Sequence, residues 1–152
     1  MKNQMWLTGL LAAILILSSC STVPPAQRED RIADLLVELQ NSDIDRLMEI
    51  SARPFLLDGE ILMRESDIRT LWTNLAGAGF RFDQAAILSI EAVDADSYLD
   101  VADTMDVRVF FDSYLPENAG VVAIETMYGS FLILTGEKVG RIPQLAGFTG
   151  PR

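Results

Sequence analysis

The chain has 152 residues, with 12 basic and 22 acidic side chains, one cysteine and no histidine. Its net charge of −10 repels phosphate backbones, so we expect no nucleic-acid partner. Without histidine there is no Ser-His-Asp triad, and no glycine-rich phosphate loop is present. The sequence therefore predicts no metal site and no cofactor.

Residues 1–19 have the layout of a secretory signal peptide. Lys2 is the only charged residue, residues 10–17 are an apolar run, and Ser18 and Ser19 put small side chains before Cys20. The alternative is a transmembrane helix, but eight to twelve apolar residues rise only about 12 to 18 Å against roughly 30 Å of hydrocarbon. The pattern favours a cleaved signal peptide.

The segment Leu17-Ser18-Ser19-Cys20 resembles the lipobox of bacterial lipoproteins. The resemblance implies a diacylglyceryl group on the Cys20 thiol, cleavage before Cys20 and acylation of its amine. Two or three acyl chains of the palmitate type make a stable anchor. The alternative is an ordinary buried thiol. We expect a cell-envelope lipoprotein in the cell membrane or outer membrane, with its domain facing the periplasm or the exterior.

The mature chain divides into a tether and one domain. Residues 20–28 carry the lipidated cysteine, two prolines and no apolar periodicity, which predicts a flexible tether. Residues 29–152 are enough for one hydrophobic core. Loss of residues 1–19 removes Lys2 and no acid, which leaves a net charge of about −11. Because Cys20 is used for lipid, the domain has no thiol for a disulfide or for catalysis.

Two helices are predicted directly after the tether. Apolar residues at helical spacing place the first helix around residues 32–39, and the same spacing resumes over residues 44–48. Ser42, with Asp45 three residues later, predicts a capping box for the second helix. Pro54 is expected to end that helix.

A hairpin and a third helix follow. Asp58-Gly59 between two apolar runs predicts a two-residue turn, because both turn positions favour positive φ. Ser66 is the expected cap of a helix whose apolar face includes Ile68 and Trp72.

The remainder of the chain has strand character. Met105, Val107 and Val109 alternate with polar neighbours, which indicates a half-buried strand. Turns are predicted at residues 116–120 and 136–138. The candidate strands, expected to form an antiparallel meander, are residues 85–93, 105–115, 120–128, 129–135 and 139–148.

This order predicts an α+β fold, with the N-terminal helices packed on one face of a curved antiparallel sheet. Residues 55–75, a hairpin followed by Ile68-Arg69-Thr70-Leu71-Trp72, resemble the nuclear-transport-factor-2-like, or cystatin-like, cone family. The resemblance implies a cone-shaped pocket, used for catalysis in some members and for binding in others, and association as a homodimer through the open sheet face.

The enzymatic alternative depends on one carboxylate. Glu125 lies in an otherwise apolar strand, where burial would raise its pKa and suit it to proton transfer. Tyr128 and Tyr114 are the candidate proton donors, although alternation puts Tyr128 on the face opposite Glu125. The competing interpretation pairs Glu125 with Arg108 or Arg141, or leaves it in water.

Two further groups each have a functional and a structural interpretation. The aspartates of residues 94–106 begin like a calcium loop, but Tyr98, Leu99 and Met105 stand where an EF-hand needs an oxygen ligand, glycine and glutamate. A short helical connection is favoured there. The aromatic residues are candidates for lining an apolar ligand pocket or for the core: Trp72, Phe82, Phe110 and Phe131.

The sequence thus favours a membrane-anchored lipoprotein that is not an enzyme. Its domain is expected to bind an envelope protein or a small apolar ligand. The alternative is an isomerase or dehydratase that works through Glu125 and a tyrosine.

Overall fold

The structure is a computed structural model that describes residues 25–41 and 43–152. Cys20, the predicted signal peptide and the first part of the predicted tether lie outside these residues. Within them, no helix has the length and apolar character needed to span a membrane.

Four helices and six strands make up the described chain. The helices are α1 (Pro25–Asn41), α2 (Ile44–Ile50), α3 (Glu65–Gly77) and α4 (Met105–Tyr114), with a 3₁₀ turn at Ser97–Asp100. The strands are β1 (Ser51–Leu57), β2 (Glu60–Leu62), β3 (Ala86–Ala92), β4 (Gly120–Thr126), β5 (Gly129–Val139) and β6 (Ile142–Thr149).

The strands form one open, mixed sheet in the order β2-β1-β6-β5-β4-β3. The predicted antiparallel meander is confirmed for β3 to β6. The prediction of a wholly antiparallel sheet is wrong, because β1 runs parallel to β6, with Leu56 opposite Gly147. The α+β class is confirmed.

The N-terminal helices α1, α2 and α3 cover one face of the sheet, as predicted, and α4, which was predicted as a strand, covers the other. The larger core lies under α1, α2 and α3 and includes Leu35, Ile68 and Ile133, all essentially inaccessible to solvent. The smaller core lies under α4 and includes Val107 and Leu134. The alternation of strand side chains serves both, because neighbouring residues point to opposite faces.

α1 is the predicted first helix, and its apolar stripe is confirmed as buried: Ile32, Leu35, Leu36 and Leu39. It begins at Pro25, so residues 25–28 are helical instead of extended. Proline suits the first helical position, because the amide hydrogen that it lacks would have no partner within the helix.

α2 is capped and terminated differently from the prediction. Asp43 is its N-cap and accepts a hydrogen bond from the Arg46 amide at 2.9 Å. Ser42 lies outside the described residues. The helix ends at Ile50 and β1 begins at Ser51. Pro54 lies within that strand and therefore does not end the helix.

The predicted hairpin is confirmed, with Asp58 at φ 47° and Gly59 at φ 88° between paired Leu57 and Glu60. The third helix is also confirmed, and it buries Ile68 and Trp72. Its cap is not Ser66. The helix begins at Glu65, and Arg64 occupies the N-cap position without a side-chain capping bond.

The predicted strand at 105–115 is wrong, since these residues form α4. Val107, Phe110 and Phe111 are buried, which is helical spacing, while Met105 is 71% exposed. Thr104 caps the helix by accepting from the Val107 amide at 3.3 Å. Val107 and Phe111, four residues apart, fit both a strand period of two and a helical period. The capping bond of Thr104 favours the helix.

One of the two late turns was also misplaced. Residues 136–138 continue β5, where the pairing with β6 is irregular, and the chain reverses at Gly140 and Arg141. Gly140 has φ 65°, which favours glycine. The turn before β4 is confirmed by the Ala119 amide donating to the Pro116 carbonyl at 2.9 Å.

Candidate functional site

The aromatic candidates are packed as core. Trp72, Phe82 and Phe131 are at most 3% exposed. Phe82 meets Phe131 edge to face, with ring centroids 5.3 Å apart. The void beside Trp72 and Phe82 measures about 10 Å³, too little for a ligand. Phe110 belongs to the core on the other side of the sheet.

The carboxylate candidate is exposed near the end of β4. Glu125 lies opposite Ser130 of β5, and the Ser130 hydroxyl donates a hydrogen bond to its carboxylate. Among the described residues, neither Arg108 nor Arg141 forms an ion pair with Glu125. The ion pair of Arg108 is with Asp112, at 3.9 Å.

The two candidate tyrosines lie on opposite sides of the sheet. The Tyr128 ring packs 5.2 Å from that of Phe80, which rests on the larger core. The Tyr114 ring packs 5.9 Å from that of Phe110 in the smaller core. The fold therefore does not assemble Glu125, Tyr114 and Tyr128 into one proton-transfer site.

The acidic segment forms a short helical connection, as expected. The carboxylate of Asp94 accepts hydrogen bonds from the Ser97 hydroxyl at 2.8 Å and the Asp96 amide at 3.0 Å. These bonds, chiefly that from Ser97, lower the pKa of Asp94 from its ordinary value. Over residues 25–41 and 43–152, no three acidic side chains are grouped to hold a metal ion.

A surface cleft of about 120 Å³ opens between α1 and the ends of β3 to β6. We call it the cationic cleft. Its basic residues are Arg28, Arg31 and Lys138, and its apolar lining is Ile32, Ile90 and Pro143. No acidic side chain in the described part of the chain lines it.

Core packing holds the two sides of the cationic cleft in place. Ile32 is 3% exposed and fixes the start of α1 against the sheet. On the strand side, the Thr135 hydroxyl donates to the Gly120 carbonyl at 3.2 Å. A Cβ atom on Gly120 would lie 3.0 Å from that hydroxyl oxygen, so β4 and β5 meet closely here.

The basic side chains of the cleft, like Arg81 and Arg152 elsewhere, have no ion-pair partner among the described residues. Five arginines are ion-paired: Arg46, Arg53, Arg64, Arg69 and Arg108. Arg28, Arg31 and Lys138 form no ion pair with any described residue, and neither does the neighbouring Arg141. The adjoining groove of about 400 Å³ shares Arg31 and Lys138 with the cleft and adds Arg141, Asp30 and Asp34.

The cationic cleft is suited to hold an anion. Guanidinium groups bind carboxylate or phosphate with two parallel hydrogen bonds, and lysine adds a mobile point charge. Sequence reasoning missed this site and treated Arg141 only as a partner for Glu125. The available signal was weak, because α1 and the β5–β6 hairpin are separated by about a hundred residues.

No protein-family model matches this chain, and no match is found among curated proteins or solved structures. Its function is therefore inferred from its own residues.

Proposed function

We propose that this chain is a cell-envelope lipoprotein, anchored in the cell membrane or outer membrane by lipid on Cys20. Its α+β domain binds a ligand or partner outside the cytoplasm and is not an enzyme. The anchor is supported by the sequence of residues 1–20, in which small residues precede the cysteine after an apolar run.

The observation that carries the binding role is the cationic cleft. It combines three basic side chains with an apolar lining, in a domain of strongly negative net charge. Such a combination favours a ligand with one anionic and one apolar part. The filled core beneath α1 to α3 supports placing the ligand at this surface and not among the aromatic residues.

A nuclear-transport-factor-2-like relationship belongs to the same proposal. Its support is the segment β1, turn, β2 and α3, which follows the hairpin-and-helix order of the resemblance at residues 55–75. A solved structure of this domain should be compared with that family at two features, the parallel β1–β6 pair and the position of α4.

Metabolic labelling with palmitate tests the anchor. We expect label on the wild-type protein and none on Cys20→Ala, because the Cys20 thiol is the group that takes the diacylglyceryl moiety whose acyl chains carry the label. Ser19→Ala is the matched control and should remain labelled, since it keeps a small residue before the cysteine. Label retained by Cys20→Ala would refute the anchor.

An activity screen tests the non-catalytic role. We expect no turnover of isomerase or dehydratase substrates by the wild-type protein. Turnover that Glu125→Gln abolishes, with the fold unchanged by circular dichroism, would establish the enzymatic alternative instead.

A further inference from the structure

The cationic cleft includes residues from the start of α1, which is the described part of the chain closest in sequence to Cys20. Four residues lie between Cys20 and Pro25, where α1 begins, so five residue-to-residue steps join the two. Even fully extended, they reach only about 17 Å. Arg28 and Arg31 lie in the first two turns of α1. An acyl chain on Cys20 would thus hold the cleft beside the lipid headgroups.

The basic lining of the cationic cleft also favours an orientation with the cleft at the membrane. The domain as a whole is acidic, so an anionic membrane repels most of its surface. The lining of the cleft is the local exception, because Arg28, Arg31 and Lys138 line it without any acidic side chain and form no ion pair with a described residue. Surface potentials decay within about 8 to 10 Å at physiological salt. The membrane therefore acts mainly on the charges nearest to it. These include Arg28 and Arg31 of the cleft together with Glu29 and Asp30 at the start of α1, so the basic lining of the cleft, and not the net charge of this end of the domain, supports binding of an anion.

The shape of the cleft restricts the ligand. A volume of about 120 Å³ has room for a small polar group but not for an acyl chain. The basic side chains suit a phosphate, and the apolar lining suits the carbon atoms joined to it. Asp30 and Asp34 line the adjoining groove, and their carboxylates repel negative charge there. A ligand whose negative charge extends beyond the cleft is therefore disfavoured.

We propose that the cationic cleft binds the phosphate-bearing headgroup of an anionic phospholipid in the membrane that carries the anchor. This inference rests on the proposed function for the source of the ligand. Binding fixes the orientation of the domain, with the cationic cleft at the membrane.

Titration of the full-length protein in a non-ionic detergent tests the proposal. The probes are dihexanoylphosphatidylglycerol, dihexanoylphosphatidylcholine and inorganic phosphate, with amide NMR shifts at Gly120 and Gly136 as the readout. We expect saturable shifts with the glycerol lipid, none with the choline lipid, and at least tenfold weaker binding of phosphate alone. Free phosphate binding as tightly as the lipid would overturn the headgroup assignment.

Charge-neutral variants identify the site. Arg31→Gln and Lys138→Gln should each weaken binding of the glycerol lipid by about tenfold, the usual loss for one charge-assisted contact. Arg81→Gln is the matched control, because Arg81 is exposed and lies away from the cleft. Amide spectra check that every variant is folded. Equal affinities in all variants, or equal binding of the two lipids, would overturn the proposal.

Mass spectrometry of the same protein preparation distinguishes failure of this inference from failure of the proposed function. An unmodified Cys20 would refute the anchor, and with it the membrane as the source of the ligand. A lipidated Cys20 without binding of the glycerol lipid would refute the role of the cleft alone.

Discussion

Ser51 joins the end of α2 to the indole of Trp72. Its hydroxyl donates to the Leu47 carbonyl at 2.7 Å and accepts from Trp72 Nε1 at 3.0 Å. Both side chains are buried, with Ser51 5% and Trp72 3% exposed. This bond therefore supplies a partner for a polar group that water does not reach.

Ser51→Ala should lower the free energy of unfolding by about 1 to 3 kcal/mol, because the buried indole N–H loses its acceptor. Urea denaturation of the full chain, followed by tryptophan fluorescence, measures the change. Ser113→Ala is the control, since Ser113 is exposed on α4 and alanine is the better helix former. Equal midpoints for Ser51→Ala and Ser113→Ala would contradict the assignment.

Asp94 gives the domain a local dependence on pH. The Ser97 hydroxyl, assisted by the Asp96 amide, holds the pKa of Asp94 below its ordinary value. A carboxyl group whose pKa is lower in the folded state contributes stability above its unfolded pKa, about 3.9. That contribution is lost as the pH falls through the folded pKa.

Ser97→Ala should move the pKa of Asp94 upward, because it removes the largest cause of the shift. Carbon-13 NMR of the carboxyl group measures the titration directly. The stability difference between wild type and Ser97→Ala should begin to narrow as the pH falls below about 4. It is smallest below the lowered pKa of Asp94, where this group is protonated in both proteins. An unchanged Asp94 titration in the variant would show that the serine bond is unimportant.

At the scale of elements, α4 depends on its cap. Thr104 Oγ1 accepts from the Val107 amide, one of the donors that a helix start leaves without a partner. Thr104→Ala should cost about 1 kcal/mol of stability, whereas Thr104→Ser should retain most of it. Thr73→Ala, in the exposed middle of α3, is the control and should change little. Thermal unfolding, monitored by circular dichroism, compares the stabilities of Thr104→Ala, Thr104→Ser and Thr73→Ala.

Elements with a local determinant were predictable from the sequence. Asp58-Gly59 specifies its turn because both residues accept positive φ. The apolar residues of α1 fall on one face of a helix, so their spacing predicts both the helix and its buried side. Residues 105–114 were not, since Val107 and Phe111, four residues apart, fit a period of two and a helical period equally well. There the cap at Thr104 outweighed the apparent alternation.

Features that depend on distant residues were not predictable. Nothing near Leu56 indicates that its neighbour in the sheet is Gly147, and this pair makes the sheet mixed. The cationic cleft has the same origin, because Arg31 and Lys138 meet only after α1 packs on the sheet. In the sequence, Arg31 stands beside acidic residues and resembles any solvated helical charge.

At the scale of the whole molecule, the contact of β1 with β6 joins the first part of the domain to the last. The two backbones approach closely, since a Cβ atom on Gly147 would lie 2.3 Å from the Leu56 carbonyl oxygen. Glycine is needed at this position because any side chain would push the strands apart.

Gly147→Ala should destabilise the fold by about 1 to 3 kcal/mol or more, as overpacking between backbones leaves no room for relaxation. Gly77→Ala is the matched control, with nothing within 4 Å of the added carbon. It should be neutral or stabilising by up to about 1 kcal/mol. Urea denaturation compares them, and a stability of Gly147→Ala equal to that of Gly77→Ala would refute the close approach.

The place of β6 in the sheet also governs the order in which the chain can fold. β6 lies between β1 and β5, yet it is the last strand to leave the ribosome. Until it is made, the β1–β2 hairpin has no strand beside it and the sheet remains in two pieces. Pairing across such a sequence separation is slow, because loop closure precedes any gain from contacts. If the chain is exported as proposed, slow closure of the sheet would favour translocation, because translocation requires an unfolded polypeptide.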